Sequence, residues 1–370
     1  MTTSNLPGTP FVRVPPAERL NGTMAALDSI VDHLFIPLAK STWATRRPAG
    51  HVDRDLPVTV SDVHDVAEGV RAITFRHQDG ERLPPWFPGA HVDVVLPSGR
   101  MRQYSLNGRR DDQHHYRVAV RAIPLEQGGG GGSLEMHGLE IGQRVTLKGP
   151  RNAFPFIFNE AGYLFVAGGI GITPILPMLR RTARLDRVPW TLVYTGRSRA
   201  SMPFIDEITE ITAAHPDRVH IWPDDERGMP KAQEIVDLAP PGAMLFTCGP
   251  APMIEALRAI IPAPRIDSLH FERFSPPPVR GGTPFLLSLA RAGLEVEVGA
   301  TESALSAVRR VRPEQAYSCQ QGFCGTCKVR VLEGTVEHHD HVLAPYERDG
   351  HMMLCVSRAT EENGRLVLDL

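Results

Sequence analysis

No stretch of this 370-residue chain is long enough or apolar enough to span a bilayer, and it opens without the charged-then-apolar pattern of a secretory leader. A cytoplasmic protein is therefore expected, and structural disulfides are rare in that compartment. An excess of charge is missing too. The formal net charge is −2, which argues against the basic footprint of a nucleic-acid binder. Cysteine is scarce, with five residues in all, but four of the five fall in one pattern. The rest of the composition, 42% hydrophobic and 22% charged, is that of an ordinary water-soluble protein, and the length suggests two or three domains.

Cys319, Cys324 and Cys327 lie in Y-S-C-Q-Q-G-F-C-G-T-C-K, a C-x4-C-x2-C run, and Cys355 follows far downstream. This is the plant-type spacing for a [2Fe–2S] cluster, whose fourth thiolate comes from a distant strand. Structural zinc sites usually pair two ligand doublets, whereas three ligands here share one short loop with Gly322 and Gly325. Glycine there lets backbone amides crowd toward cluster sulfurs. Iron–sulfur chemistry is favoured, with a zinc-stapled, non-redox binding module as the alternative. The fifth cysteine, Cys248, stands apart.

Patterning divides the chain. Residues 1–53 read as an N-terminal extension, with a short helix suggested by Leu27, Ile30, Val31, Leu34 and Phe35. From 54 to 158 short apolar runs alternate with turns, as in an antiparallel β-barrel. From 159 to 274 strands alternate with helices, which predicts an α/β nucleotide-binding domain with a parallel sheet. Residues 275–284, S-P-P-P-V-R-G-G-T-P, read as a linker. Residues 285–370 suggest a compact α+β module around the cysteines, with a hairpin at Arg291 to Gly293 and a helix from Thr301 to about Arg310.

Two regions carry nucleotide chemistry. G-G-I-G-I-T-P, with Gly168, Gly169 and Gly171, sits between a strand and a helix, where a backbone turn can approach a pyrophosphate. F-T-C-G-P, with Cys248, Gly249 and Pro250, ends a later strand, on the side where parallel sheets bind ligands. A soft thiol there can pack on a flat ring. In the barrel, R-Q-Y-S-L places Arg102, Tyr104 and Ser105 on one strand, suited to a phosphate and a ring system. Gly128 to Gly132 with Ser133 form an amide-rich loop, and Ser133 is expected to cap the helix after it. Alone, the glycine run reads equally as a flexible turn and Arg102 as a surface ion pair. Together, upstream of a nucleotide-type domain, they favour a flavin. Arg197, Ser198 and Arg199 follow the second strand of the nucleotide domain and suit a 2′-phosphate, while Asp224 and Asp225 would repel one. These opposed signals lean to NADH, with NADPH the alternative.

With R-Q-Y-S-L, G-G-S, P-R-N-A-F-P, V-A-G-G-I-G-I-T-P, C-G-P, H-F-E-R-F and the four cysteines, the chain resembles the phthalate dioxygenase reductase family from about Asp53 to Leu370. The resemblance implies an FMN barrel, a nicotinamide domain and a C-terminal plant-type, β-grasp ferredoxin. It implies that Arg102, Tyr104 and Ser105 hold the flavin, with Ala119, Val120 and Arg121 alongside it and Gly132 and Ser133 at its phosphate. Thr173 would approach the isoalloxazine, Phe274 the ring face that the nicotinamide must reach, and Gly168, Gly169, Gly171, Cys248, Gly249 and Pro250 the nicotinamide. Cys248, Phe274 and Thr173 are thus the expected catalytic set, and Cys319, Cys324, Cys327 and Cys355 the cluster ligands. Family members often carry a basic residue just before G-G-S, where this chain has Gly130. His338, His339 and His341 lie in a turn of the family's His-x-Asp kind and read as a solvated loop, not a second metal site. The implied function is a monomeric reductase component that passes electrons from NAD(P)H through FMN and the cluster to a terminal oxygenase. That partner would be a Rieske-type non-haem iron enzyme or a haem-thiolate monooxygenase. Glu333, Glu337, Asp340 and Glu347 would steer a basic partner face. A stand-alone flavin reductase or diaphorase is the runner-up.

Overall fold

The computed structural model describes residues 55–370 apart from 128, 262, 362 and 363, so the helix expected within residues 27–35 lies outside the described residues. Strands β1 (Asp55–Ala67), β2 (Val70–His77), β3 (Ala90–Val95), β4 (Met101–Ser105), β5 (His115–Arg121) and β6 (Arg144–Asn152) pair antiparallel in the order β4-β3-β6-β1-β2-β5. Their inward residues, among them Val58, Phe75, Val92, Val118 and Leu147, share one core with Met136 of helix α1 (Gly132–His137). The two-residue period of a strand has a consequence in β5. Val118 and Val120 face this core, whereas Ala119 joins the core of the next module.

That module is a five-stranded parallel sheet of β7 (Tyr163–Gly168), β8 (Trp190–Gly196), β9 (Val219–Pro223), β10 (Ala243–Cys248) and β11 (Ile266–Glu272), ordered β11-β10-β7-β8-β9. Y-L-F-V-A is apolar throughout because β7 is covered on both faces: Leu164 and Val166 belong to one core cluster, Phe165 and Ala167 to the other. Helices α2 (Ile172–Leu185) and α3 (Ala251–Ile260) follow β7 and β10. The chain runs outward from β7 through β8 to β9, then returns to the other side of β7 at β10. This reversal opens a crevice beyond the carboxyl ends of β7 and β10, the usual ligand position in such sheets.

Residues 275–284 contain neither helix nor strand. Beyond them, β12 (Phe285–Leu289) and β13 (Leu294–Val298) form a hairpin through Gly293, whose φ of 64° suits glycine. Helix α4 (Ala304–Val311) starts later than the expected Thr301, because Ser303 Oγ accepts the Ser306 N–H at 3.1 Å and caps it. Its Leu305 and Val308 enter the module core, a burial worth about 1.5–3 kcal/mol per side chain. Strands β14 (Lys328–Glu333), β15 (Val336–Glu337), β16 (His351–Met353), β17 (Arg358–Ala359) and β18 (Arg365–Leu368) complete the module. Its main sheet is ordered β13-β12-β18-β14-β16, with β12 and β18 parallel, and β15 pairs with β17.

Candidate functional site

At the crevice, the glycines are required first by backbone approach. A Cβ on Gly171 would run into the Cys248 carbonyl oxygen, and one on Gly168 would lie 2.5 Å from Pro250 Cδ. One on Gly249 would lie 2.6 Å from Met253 Cε. The glycine turn and the C-G-P loop are therefore packed main chain against main chain. Thr173 is buried, and its hydroxyl is used inside the turn, donating to Ile170 O at 3.0 Å. At the end of β8, Arg197 is exposed, its carbonyl accepting the Asp225 N–H at 3.1 Å. The Ser198 N–H donates to Ser201 Oγ at 3.2 Å. Arg199 is engaged by Glu226 through bonds of 3.1 and 2.9 Å.

Where the barrel meets the crevice, Ser105 at the end of β4 donates to Glu272 Oε2 at 3.3 Å. Burial pushes the Glu272 carboxyl up to about 8, against the opposing pull of the Ser105 hydrogen bond. Glu272 ends β11 in direct register with Cys248 at the end of β10. Cys248 is fully buried, and burial followed by the Glu272 charge raises its thiol well above the ordinary value. A neutral thiol thus borders a carboxyl poised to hold or release a proton near neutrality. Phe274, 46% exposed, stands two residues beyond. Glu272 lies within H-F-E-R-F, where the sequence alone assigns it no role. Its signal is an acid at the carboxyl end of a strand whose parallel partner ends in C-G-P.

On the opposite side of β4, Arg102 has no carboxylate partner among the described residues. Its guanidinium donates to Met101 O (2.8 Å), Gly130 O (3.3 Å), Tyr317 O (3.3 Å) and Tyr317 Oη (2.6 Å), all neutral acceptors. Tyr104 packs on the barrel core, and burial raises its phenol. Arg121 donates to Ser201 O at 2.6 Å, and Val120 O is bonded by His137 Nε2 at 2.8 Å. The glycine run is not slack. A Cβ on Gly129 would strike Ile123 O, and one on Gly132 would lie 2.6 Å from Arg102 Nε. The expectation that Ser133 caps α1 is corrected: Gly131, at φ 78°, turns the chain into a helix that already begins at Gly132, and Ser133 Oγ accepts the Ile123 N–H at 3.0 Å. A carboxylate-free arginine, a phenol and a hydroxyl on one strand, beside a tightly folded glycine loop, fit a phosphate-bearing flavin.

The cysteine loop turns sharply through Gln320, Gly322 and Gly325, with φ values of 57°, 79° and 80°. A Cβ on Gly322 would lie 2.9 Å from Val356 Cγ2. The four thiols sit two and two. Cys324 and Cys327 are held below the usual thiol range, first by their neighbours Cys319 and Cys355 respectively, whose own thiols are pushed up. Among the described residues no three His, Cys, Asp or Glu side chains converge to hold one metal ion. Three thiols in one short loop, with the fourth from a distant segment, suit a two-iron cluster better than the paired ligand doublets of a structural zinc site. Gln321 N–H donates to Cys319 Sγ at 3.3 Å, and Cys324 Sγ bonds Thr326 Oγ1 at 3.2 Å. The loop is tied to both other modules: Ser318 Oγ donates to Asp93 Oδ1 at 3.4 Å and Gln321 Nε2 to Arg273 O at 2.7 Å. Cys319, Cys327 and Cys355 are buried, whereas Cys324 is half-buried beside Phe323, which is 54% exposed and stacked on His341.

The expected acidic face is smaller than the sequence suggests. Asp340 is buried and accepts the Leu343 N–H at 2.9 Å, and Glu347 is held by Lys328 at 3.1 Å and the Ala344 N–H at 2.9 Å. Only Glu333 and Glu337 of the four are exposed, and Glu337 lies 3.4 Å from His339. His338 contacts Asp340 at 3.4 Å.

Family models match all three modules: an oxidoreductase FAD-binding domain over residues 57–156, an oxidoreductase NAD-binding domain over 165–259 and a 2Fe-2S iron-sulfur cluster binding domain over 288–360, a span that covers Cys319, Cys324, Cys327 and Cys355. The chain is 38% identical to the toluene-4-sulfonate monooxygenase system reductase subunit TsaB1 of Comamonas testosteroni, over 85% of this chain and 99% of that one. It is 30% identical to phthalate dioxygenase reductase of Burkholderia cepacia, over 86% and 98%. Among solved structures it is similar to an intact type IV self-sufficient cytochrome P450 monooxygenase, with a TM-score of 0.60 and 32% identity, over 90% of this chain and 44% of that longer one. No helix among the described residues is long and apolar enough to cross a membrane.

Proposed function

The chain belongs to the phthalate dioxygenase reductase family, and on that premise we propose that it is the reductase component of a two-component oxygenase, with FMN as its flavin and NADH as its donor. It is an oxidoreductase with flavin, nicotinamide and [2Fe–2S] domains. The observation that carries the reductase role is the double tether of the cysteine loop, through Ser318 to the barrel and Gln321 to the nucleotide module. A stand-alone flavin reductase has no need of this connection. When bound, the flavin supplies the conversion of a two-electron hydride donor into one-electron steps that the cluster can relay.

The protein's own residues do the positioning. The glycine turn and Cys248–Pro250 shape the crevice for the nicotinamide, and Phe274 stands at its rim. Ser105 and Glu272 hold a proton beside the ring face. Cys319, Cys324, Cys327 and Cys355 hold the cluster, and the half-exposed edge at Cys324 and Phe323 faces the partner. That partner is a terminal oxygenase of the Rieske or haem-thiolate type, a reading supported by the relatives' monooxygenase and P450 names. NADH is favoured because Glu226 occupies Arg199, and Asp224 and Asp225 follow the end of the neighbouring strand, β9.

The test is Cys324→Ser. Reduction of a one-electron protein acceptor should be lost, while NADH-driven reduction of a small dye that accepts from flavin should persist. Equal loss of both would overturn the proposed order.

A further inference from the structure

We propose that the cluster module completes the flavin's phosphate seat: Arg309 of α4 joins Arg102 of β4, both set over the Tyr317 ring, to bind the terminal phosphate of FMN between two modules. This rests on the FMN reading above. The guanidinium carbons lie 4.0 Å (Arg102) and 4.2 Å (Arg309) from the Tyr317 ring centre. Arg309 Nε is buried, and no acceptor among the described residues reaches it. Arg102 donates only to neutral oxygens. Two cations have therefore been gathered at a partly desolvated corner where no carboxylate among the described residues balances them. Such an arrangement is costly until an anion arrives. Burial and the neighbouring Arg309 charge both disfavour the charged form of Arg102, which marks the same deficit.

Tyr317 makes the corner possible. Its hydroxyl accepts from Arg102 Nη2 at 2.6 Å and fills the space that a side chain at Gly130 would take. Tyr317 lies two residues before Cys319, on the loop that Ser318 ties to Asp93. Phosphate binding and docking of the cluster module are thus coupled, each favouring the other.

The test compares FMN with riboflavin, which lacks the phosphate, by fluorescence titration of flavin-stripped full-length protein. Arg309→Gln should weaken FMN about tenfold or more and leave riboflavin within about twofold. Arg309→Lys should recover part of the loss, since it restores charge without the planar fork. Tyr317→Phe, which keeps the ring, should cost FMN alone a smaller factor, and it tests the same corner if Arg309→Gln does not fold. Equal loss of both flavins in these variants would overturn the seat and leave the FMN reading standing. FAD in the wild-type extract, with the phosphate-specific loss intact, would overturn the FMN reading and leave the seat.

Discussion

Where β4 meets the nucleotide module, Ser105 and Glu272 share a hydrogen bond of 3.3 Å beside the buried Cys248; where it meets the cluster module, Arg102 lies over Tyr317, and Ser318 bonds an Asp93 that is already paired with Arg151. The first flank ends in a carboxyl that titrates near neutrality. The second is made of arginines, a phenol, main-chain carbonyls and an aspartate already paired with arginine, arranged to hold one module against another. A hydride donor changes its charge as it reacts, so its side of the flavin gains from an adjustable proton. An electron leaving toward a cluster needs a fixed distance instead. On the proposed function, the two flanks divide the work of positioning along that line.

The largest break in this comparison is expected from Gly171→Ala. The added methyl would meet the Cys248 carbonyl, a backbone atom with no rotamer to escape into. Flavin reduction by NADH should fall about a hundredfold, the usual cost of shifting a reacting geometry by an ångström. Electrons introduced by a chemical reductant should still pass from flavin to cluster at the wild-type rate in rapid-mixing spectroscopy. Loss of both steps would mean that the flanks are not separable.

A finer cut comes from Glu272→Gln. In the folded protein Glu272 titrates near 8 against an ordinary 4.5, so the native state binds its proton more tightly. The resulting stabilisation is fully present below about pH 4.5 and is lost as pH rises through about 8. The wild-type melting temperature should therefore decline across that window more steeply than that of the glutamine variant, a difference of at most a few kcal/mol. The hydride step should slow about ten- to a hundredfold in the variant and lose its inflection near pH 8. Flavin-to-cluster transfer should show no such inflection in either protein.

The two flanks also differ in how far they were legible. Alternation and turn residues marked the six strands of the barrel, and apolar runs followed by helices marked the parallel sheet, because each pattern is set within a few residues. The cysteine loop is legible for the same reason: three ligands and the glycines that turn it share one short segment. Glu272 was not legible, since its role depends on the register of β11 beside Cys248 and on a serine from another module. Arg309 and Tyr317 escaped likewise, because their meaning arises only when the fold brings Arg309 of α4 and Arg102 of β4 to the one Tyr317 ring. Ser133 and the acidic face were misjudged from composition. A left-handed glycine placed the helix start two residues earlier, and backbone amides had already claimed Asp340 and Glu347.

The smallest effect should come from Gln321→Ala, on the exit flank. Gln321 Nε2 donates to Arg273 O at 2.7 Å and contacts Cys319 O at 3.4 Å, so it joins the cysteine loop to the nucleotide module without touching the crevice. A single neutral hydrogen bond contributes about 0.5–1.5 kcal/mol. The Ser318–Asp93 and Tyr317–Arg102 contacts remain to hold the loop. Transfer from flavin to cluster should therefore slow only a few-fold, followed as the lag of cluster bleaching behind flavin bleaching after mixing with NADH. The hydride step should be unchanged at every pH. If it slows as well, the cysteine loop helps to set the crevice, and the division between a proton-holding flank and a distance-holding flank would have to be given up.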